Sequence, residues 1–337
     1  MEQEIGFSDP AERGNGARSI GAALRFLYRG SGWLTWTGVL MLADIVVCVA
    51  GLVTDPTTIT GAPAWMKPLK FAISTALFSF SVAFMIGQLH RTRRFAAILG
   101  RFMAVALTVE IVLIDLQAAR HTTSHFNRTT SFDAAVFGVM GIGIAVVLLS
   151  TALLLGAAFR ERFSDAALGW SIRLSLLLAL LGMGVGALMT LPTPEQLAAQ
   201  QATGGTMPHI GAHTVGAPDG GPGLPVAGWS ADHGDLRIAH FIGLHAMQVL
   251  LLAWWLPLRR RWSDAGQLRL VSAAALSMAA VFGVVLWQAL RGLPLLRPDV
   301  PVGAGYAGWA VATLLLGLWA THSAKTDNVK FLESEGK

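Results

Sequence analysis

The sequence predicts an all-α integral membrane protein of about eight transmembrane helices, and its internal matches read as a parallel four-plus-four duplication. Three observations carry this. Of 337 residues, 53% are hydrophobic and only 13% charged, about half the charged share of a soluble domain. Apolar runs of about 18 residues or more, enough to cross a hydrocarbon core, recur along the whole chain. The Lys and Arg residues fall unevenly between the loops that these runs define.

The spans are read in order as Trp33 to Val53, Leu69 to Leu89, Phe95 to Gln117, Ala134 to Phe159, Ser171 to Leu191, Ala239 to Leu258, Leu270 to Leu290 and Gly303 to His322. Residues 1–32 form an N-tail that lacks an apolar stretch followed by a cleavage site, so the first span is expected to act as the signal anchor. Residues 33–160 form the first four-helix half. Residues 161–324 form the second, with a long loop at 192–236, and 325–337 are the C-tail. Alternating the loops puts eighteen Lys and Arg on the side of both termini and seven on the other. Positive loops stay in the cytoplasm, so both termini are expected there, in a bacterial inner membrane with lipids as neighbours. The net charge of +5 is thus a topology signal, and no nucleic-acid partner is expected. The single cysteine, Cys48, reads as a small apolar residue of the first span and excludes an internal disulfide framework.

The duplication rests on ordered matches. Val53-Thr54-Asp55-Pro56-Thr57 pairs with Met189-Thr190-Leu191-Pro192-Thr193, Lys67-x-x-Lys70-Phe71 with Arg237-x-x-His240-Phe241, and Leu116-Gln117-Ala118-Ala119-Arg120 with Trp287-Gln288-Ala289-Leu290-Arg291. The offset steps from 136 to 170 and 171, which places one insertion between the fifth and sixth spans. That insertion mixes Gly and Pro with apolar Ile210, Val215, Leu224, Val226 and Trp229. A loop of this length is commonly functional, and its apolar residues predict an ordered cap over the outer mouth.

Seven of nine histidines fall on the outer side: His121, His125, His209, His213, His233, His240 and His245. Glu110, Gln117, His121 and His125 are spaced to share one stripe of a continued third helix. A carboxylate inside a span is costly unless it is paired or faces water, which makes Glu110 the candidate catalytic group. His121 and His125 have i, i+4 spacing and, with His240 and His245, are the candidate metal ligands. Asp44 and Asp115 are further carboxylates inside spans, without an assigned partner. Lys67, Lys70, Arg120 and Arg237 stand at outer helix ends and are the candidate cofactor-binding cations, for an anionic substrate, a lipid phosphate or haem propionates. Walker, dinucleotide, nucleophile-elbow, kinase and Cys-x-x-Cys motifs are all missing, which removes most soluble-enzyme chemistries.

The stretches Trp65-Met-Lys-Pro-Leu-Lys-Phe71, His121-Thr-Thr-Ser-His-Phe-Asn127 and Gly234-Asp-Leu-Arg-Ile-Ala-His-Phe-Ile-Gly-Leu-His245 resemble those of uncharacterised bacterial polytopic membrane proteins. That resemblance implies no activity. The four-plus-four layout with outer histidines is also similar to haem A synthases, whose Glu-x-x-His signatures this sequence lacks. The leading expectation is therefore a metal-dependent membrane enzyme with an outward His/Glu site acting on a lipid-soluble substrate, its centre a transition metal ion. The alternatives are a b-type haem redox protein, and a transporter or receptor for an anionic small molecule.

Overall fold

The computed structural model of the chain describes residues 20–259 and 262–335, with side chains for 21–256 and 262–322. Expectations that fall on residues 1–19, Arg260, Arg261 and 336–337 lie outside the described residues. The helices are α1 (Ile20–Gly30), α2 (Gly32–Thr54), α3 (Met66–Gly87), α4 (Arg93–Ala119), α5 (Ser131–Arg160), α6 (Ala166–Met189), α7 (Pro194–Thr203), α8 (Leu236–Arg259), α9 (Asp264–Leu290) and α10 (Val300–Glu335). Eight of them are long and apolar enough to cross a membrane, and they follow the expected spans in number and order. The protein is an all-α integral membrane fold. Its only described strands are two short antiparallel pairs, β1 (Thr58–Ile59) with β2 (Ala62–Pro63) and β3 (Thr214–Val215) with β4 (Gly234–Asp235).

The helix starts follow local chemistry. Ser31, Thr130, Asp165 and Ser263 each accept a backbone N–H of the first turn they precede, so donors that lack an intrahelical partner are satisfied. Glu161 does the same from a distance, accepting the N–H groups of Arg91 and Thr92 where α4 begins. Within the expected N-tail the chain forms α1, which ends where Gly30 meets α3. A Cβ on Gly30 would stand 2.1 Å from the Ala83 carbonyl oxygen.

Each half is built with the same pairings: first span on second and third, second on third, third on fourth. The halves meet along α5 and α6 and along a thinner seam between α3 and α8. The α6–α8 crossing is closest at two glycines, since a Cβ on Gly243 would lie 2.6 Å from Gly182 Cα. Small residues allow such backbone contact between membrane helices. Outward faces such as Leu314, Leu315 and Leu318 of α10 are apolar and exposed, as suits a lipid solvent.

The turns after the two third spans are also built alike. Gln117 donates to the Thr123 carbonyl and to Asp133, while Gln288 donates to the carbonyls of Pro294 and Leu295. Arg120 pairs with Asp133 at 2.7 Å in the first turn of α5, and Arg291 pairs with Asp299 at 2.6 Å just before α10.

The long loop is an ordered cap. Thr193 and Gln196 form a capping box that starts α7, and Gln196 also grips both backbone groups of Gly211. The cap then joins both halves. Ile210 N–H donates to the Phe126 carbonyl, Lys70 Nζ to the Ala227 carbonyl at 2.8 Å, and Arg237 to the Gly228 carbonyl at 2.8 Å.

Candidate functional site

Beneath the cap, polar side chains from the start of α3, the middle of α4, the α4–α5 turn and the start of α8 gather in a partly buried chamber-like cluster. Its centre is a row of three side chains. Lys67 Nζ stands 3.1 Å from His125 Nδ1, and His125 Nε2 stands 3.4 Å from Glu110 Oε1. With Lys67 charged, its ammonium donates, His125 receives at Nδ1 and the ring proton sits on Nε2, facing the carboxyl group. Glu110 is 2% exposed, and neither of its oxygens has a hydrogen-bond partner. Burying such a group unsatisfied costs about 1 to 3 kcal/mol, so its retention has to be offset elsewhere.

His125 reaches Glu110 by a route that helix spacing does not predict. Fifteen residues along a straight helix would separate the two by about 22 Å. Instead α4 ends at Ala119, and the chain turns back so that His125 comes down beside Glu110. Two non-glycine residues hold this turn in the left-handed region, His121 at φ 56° and Phe126 at φ 65°. Such strain persists only where surrounding contacts enforce it, and it clusters at functional sites.

A second imidazole comes from the cap. His213 Nδ1 lies 2.6 Å from Asp219 Oδ2, and its ring is 4.8 Å from that of Phe126. Asp219 also accepts the N–H groups of His213 and Thr214. Burial alone would raise the Asp219 carboxyl, but the His213 contact and these N–H groups hold it well below the usual range. Burial lowers His125 well below 6.5, and Lys67, His213 and His240 add to this. His213 is lowered as well, by burial, against the pull of Asp219.

The pH dependence has a definite sign. A base whose folded value lies below its unfolded value leaves the folded chain short of protons, so stability is full above about pH 6.5 and falls as pH drops below it. His125 should contribute up to about 1.4 kcal/mol per pH unit to that loss. Thermal melting of detergent-purified protein between pH 7.5 and 5 should show the decline, and His125→Gln should flatten it. An unchanged slope would remove His125 as its source.

The other expected ligands separate. His121 is exposed and faces Asp55 Oδ2 at 3.3 Å. Hydrogen bonds from Thr57 keep Asp55 anionic, with its pKa lowered to about 2. His240 Nδ1 lies 2.7 Å from the Gly182 carbonyl oxygen. His245 has both ring nitrogens engaged, with Ser74 and Gln248 at 3.2 Å each. Thus His121, His125, His240 and His245 form no common ligand set among the described residues. Only one group there brings three ligand atoms within 4.8 Å of one another: Asp44, Cys48 and Asp115, between α2 and α4. The i, i+4 spacing of Asp44 and Cys48 was visible in the sequence, whereas their contact with Asp115 depends on helix packing.

Of the expected cations, only Lys67 faces the row. Lys70 and Arg237 are tied to the cap, and Arg120 is tied to Asp133 with its guanidinium 4.5 Å from the Phe132 ring centre. No family model matches the chain, and neither does any curated protein or solved structure.

Proposed function

We propose that the protein is a membrane enzyme whose cap faces outward and whose chamber moves a proton to or from a lipid-soluble molecule bearing an anionic or carbonyl group. The observation that carries this is the row of partly buried Lys67 and His125 leading to buried Glu110. Lys67 supplies positive charge for the substrate group. His125, neutral near pH 7, relays the proton, and Glu110 exchanges it. The eighteen-to-seven split of Lys and Arg supports the outward cap.

A hydrophobic carbodiimide, which reacts with protonated carboxyls in apolar surroundings, tests the row. Peptide mass spectrometry should find Glu110 labelled, and His125→Gln should move the pH profile of that labelling. Failure to label Glu110 at any pH, or an unmoved profile, would overturn the reading.

A transition-metal centre is the second reading, favoured by His213 and His240. Each has Nδ1 tied to an oxygen and has no Nε2 partner among the described residues, the usual arrangement of metal-ligating imidazoles. The Lys67 ammonium beside His125 works against it, because a second cation there would be repelled. Metal analysis and a visible spectrum of the purified protein separate the readings, since an equimolar metal or a haem band would replace proton transfer.

A further inference from the structure

A second polar feature lies along the seam between α3 and α8, outside the chamber. Gln248 Nε2 donates to the Leu77 carbonyl at 3.3 Å and to Ser81 Oγ at 2.8 Å. A carbonyl only accepts, so this contact fixes the amide, and Gln248 Oε1 must accept from His245 Nδ1 at 3.2 Å. His245 Nε2 is then an acceptor, and the Ser74 hydroxyl donates to it at 3.2 Å. The chain therefore has one direction: Ser74 to His245, His245 to Gln248, Gln248 to Ser81. It ends on the Ser81 hydroxyl, whose proton has no acceptor among the described residues; the carbonyl four residues back, the usual one for a helical serine, is held by Gln248 instead.

That hydroxyl opens into a cavity of about 360 Å³ lined by Ser81, Gln248, Phe84, Leu251, Leu252, Trp254 and Trp255. Phe84 and Trp254 form an aromatic wall, with ring centres 5.8 Å apart. Leu252 and Trp255 are exposed at its edge, so the cavity opens sideways from the helix bundle into the apolar belt. None of its lining residues is charged. Ser81 lies about 22 Å along α3 from Met66, so the cavity sits toward the face opposite the cap.

From this geometry we infer that the α3–α8 cavity binds the ring of a neutral, lipid-soluble carbonyl compound of the quinone class. The Ser81 hydroxyl donates to a ring carbonyl, the aromatic wall stacks on the ring face, and the side opening leaves an apolar tail in the bilayer. The absence of charge in the lining disfavours an anionic lipid headgroup, and a flat ring suits the wall better than an acyl chain. The inference stands apart from the proton-transfer reading of the chamber, since neither the cavity nor the directed chain includes Lys67, His125 or Glu110.

Binding of decylubiquinone to the full chain in lipid nanodiscs, followed by tryptophan fluorescence, tests it. Quenching should saturate at one equivalent. Ser81→Ala should weaken binding about five-fold, as expected for one neutral hydrogen bond. Leu252→Trp, which fills the opening from an exposed position, should abolish the saturable phase while the melting temperature holds. Quenching that is unsaturable, that both variants leave unchanged, or that an anionic phospholipid competes away would overturn the proposal.

Discussion

Replacing Gly182 by leucine should part α6 from α8 and cost about 3 kcal/mol or more, since overpacking at a rigid contact has no cheap relief. A Cβ at Gly182 would stand 2.8 Å from Leu244 N and 2.9 Å from the His240 carbonyl oxygen, both backbone atoms of the facing helix. No side chain can swing aside to make room. The loss should appear as a lower melting temperature and a broadened size-exclusion peak. Gly184→Leu supplies the control, because nothing lies within 4 Å of a Cβ at that position. Equal effects from the two variants would deny the crossing its tight geometry. The Gly182 carbonyl also holds His240, so the same substitution should disturb the chamber edge.

Arg120→Met should destabilise the protein by about 2 to 3 kcal/mol, because it leaves the buried Asp133 carboxylate without its cation. Asp133 is 3% exposed, whereas the Arg120 side chain is 37% exposed, so solvent screening sets the effect at the lower end for a buried pair. Asp133 also keeps its bonds from Thr130 and Gln117. Adding Asp133→Asn to Arg120→Met should recover part of the loss. The counterpart, Arg291→Met, should cost under about 1 kcal/mol, because both partners there are about a third exposed. Chemical denaturation in mild detergent measures all three variants. A larger loss at Arg291 than at Arg120 would contradict the burial argument.

The spans were legible because hydrocarbon demands length and apolarity at once, and few other segments supply both. α1 was not, since eleven residues with two arginines resemble a polar tail until Gly30 is seen against Ala83. Gln117 with Arg120 and Gln288 with Arg291 were visible in the sequence, and in the fold each pair ties down the turn that follows its helix. The candidate site was only half legible. Glu110 and His125 were singled out for sharing a helical stripe, yet they meet because the helix stops and the chain folds back. His213 was noticed only as one of the outer histidines, because nothing in the spacing of a loop tells where its middle will rest. Its place depends on Ile210 reaching Phe126 and on Asp219 holding the ring, which are contacts of tertiary structure.

The cap also orders the protein's manufacture. Phe126 and Lys70 belong to the half that leaves the ribosome first, but their partners Ile210 and Ala227 are made only after the fifth span. A nascent chain therefore carries Lys67 and His125 in an open mouth, wet and without His213, through much of its synthesis. Completion of the sixth span fixes Arg237 at the far edge of the cap and lets both halves grip it. The cap contacts of Phe126 and Lys70 therefore form late in biogenesis, and any product truncated before the cap would lack them.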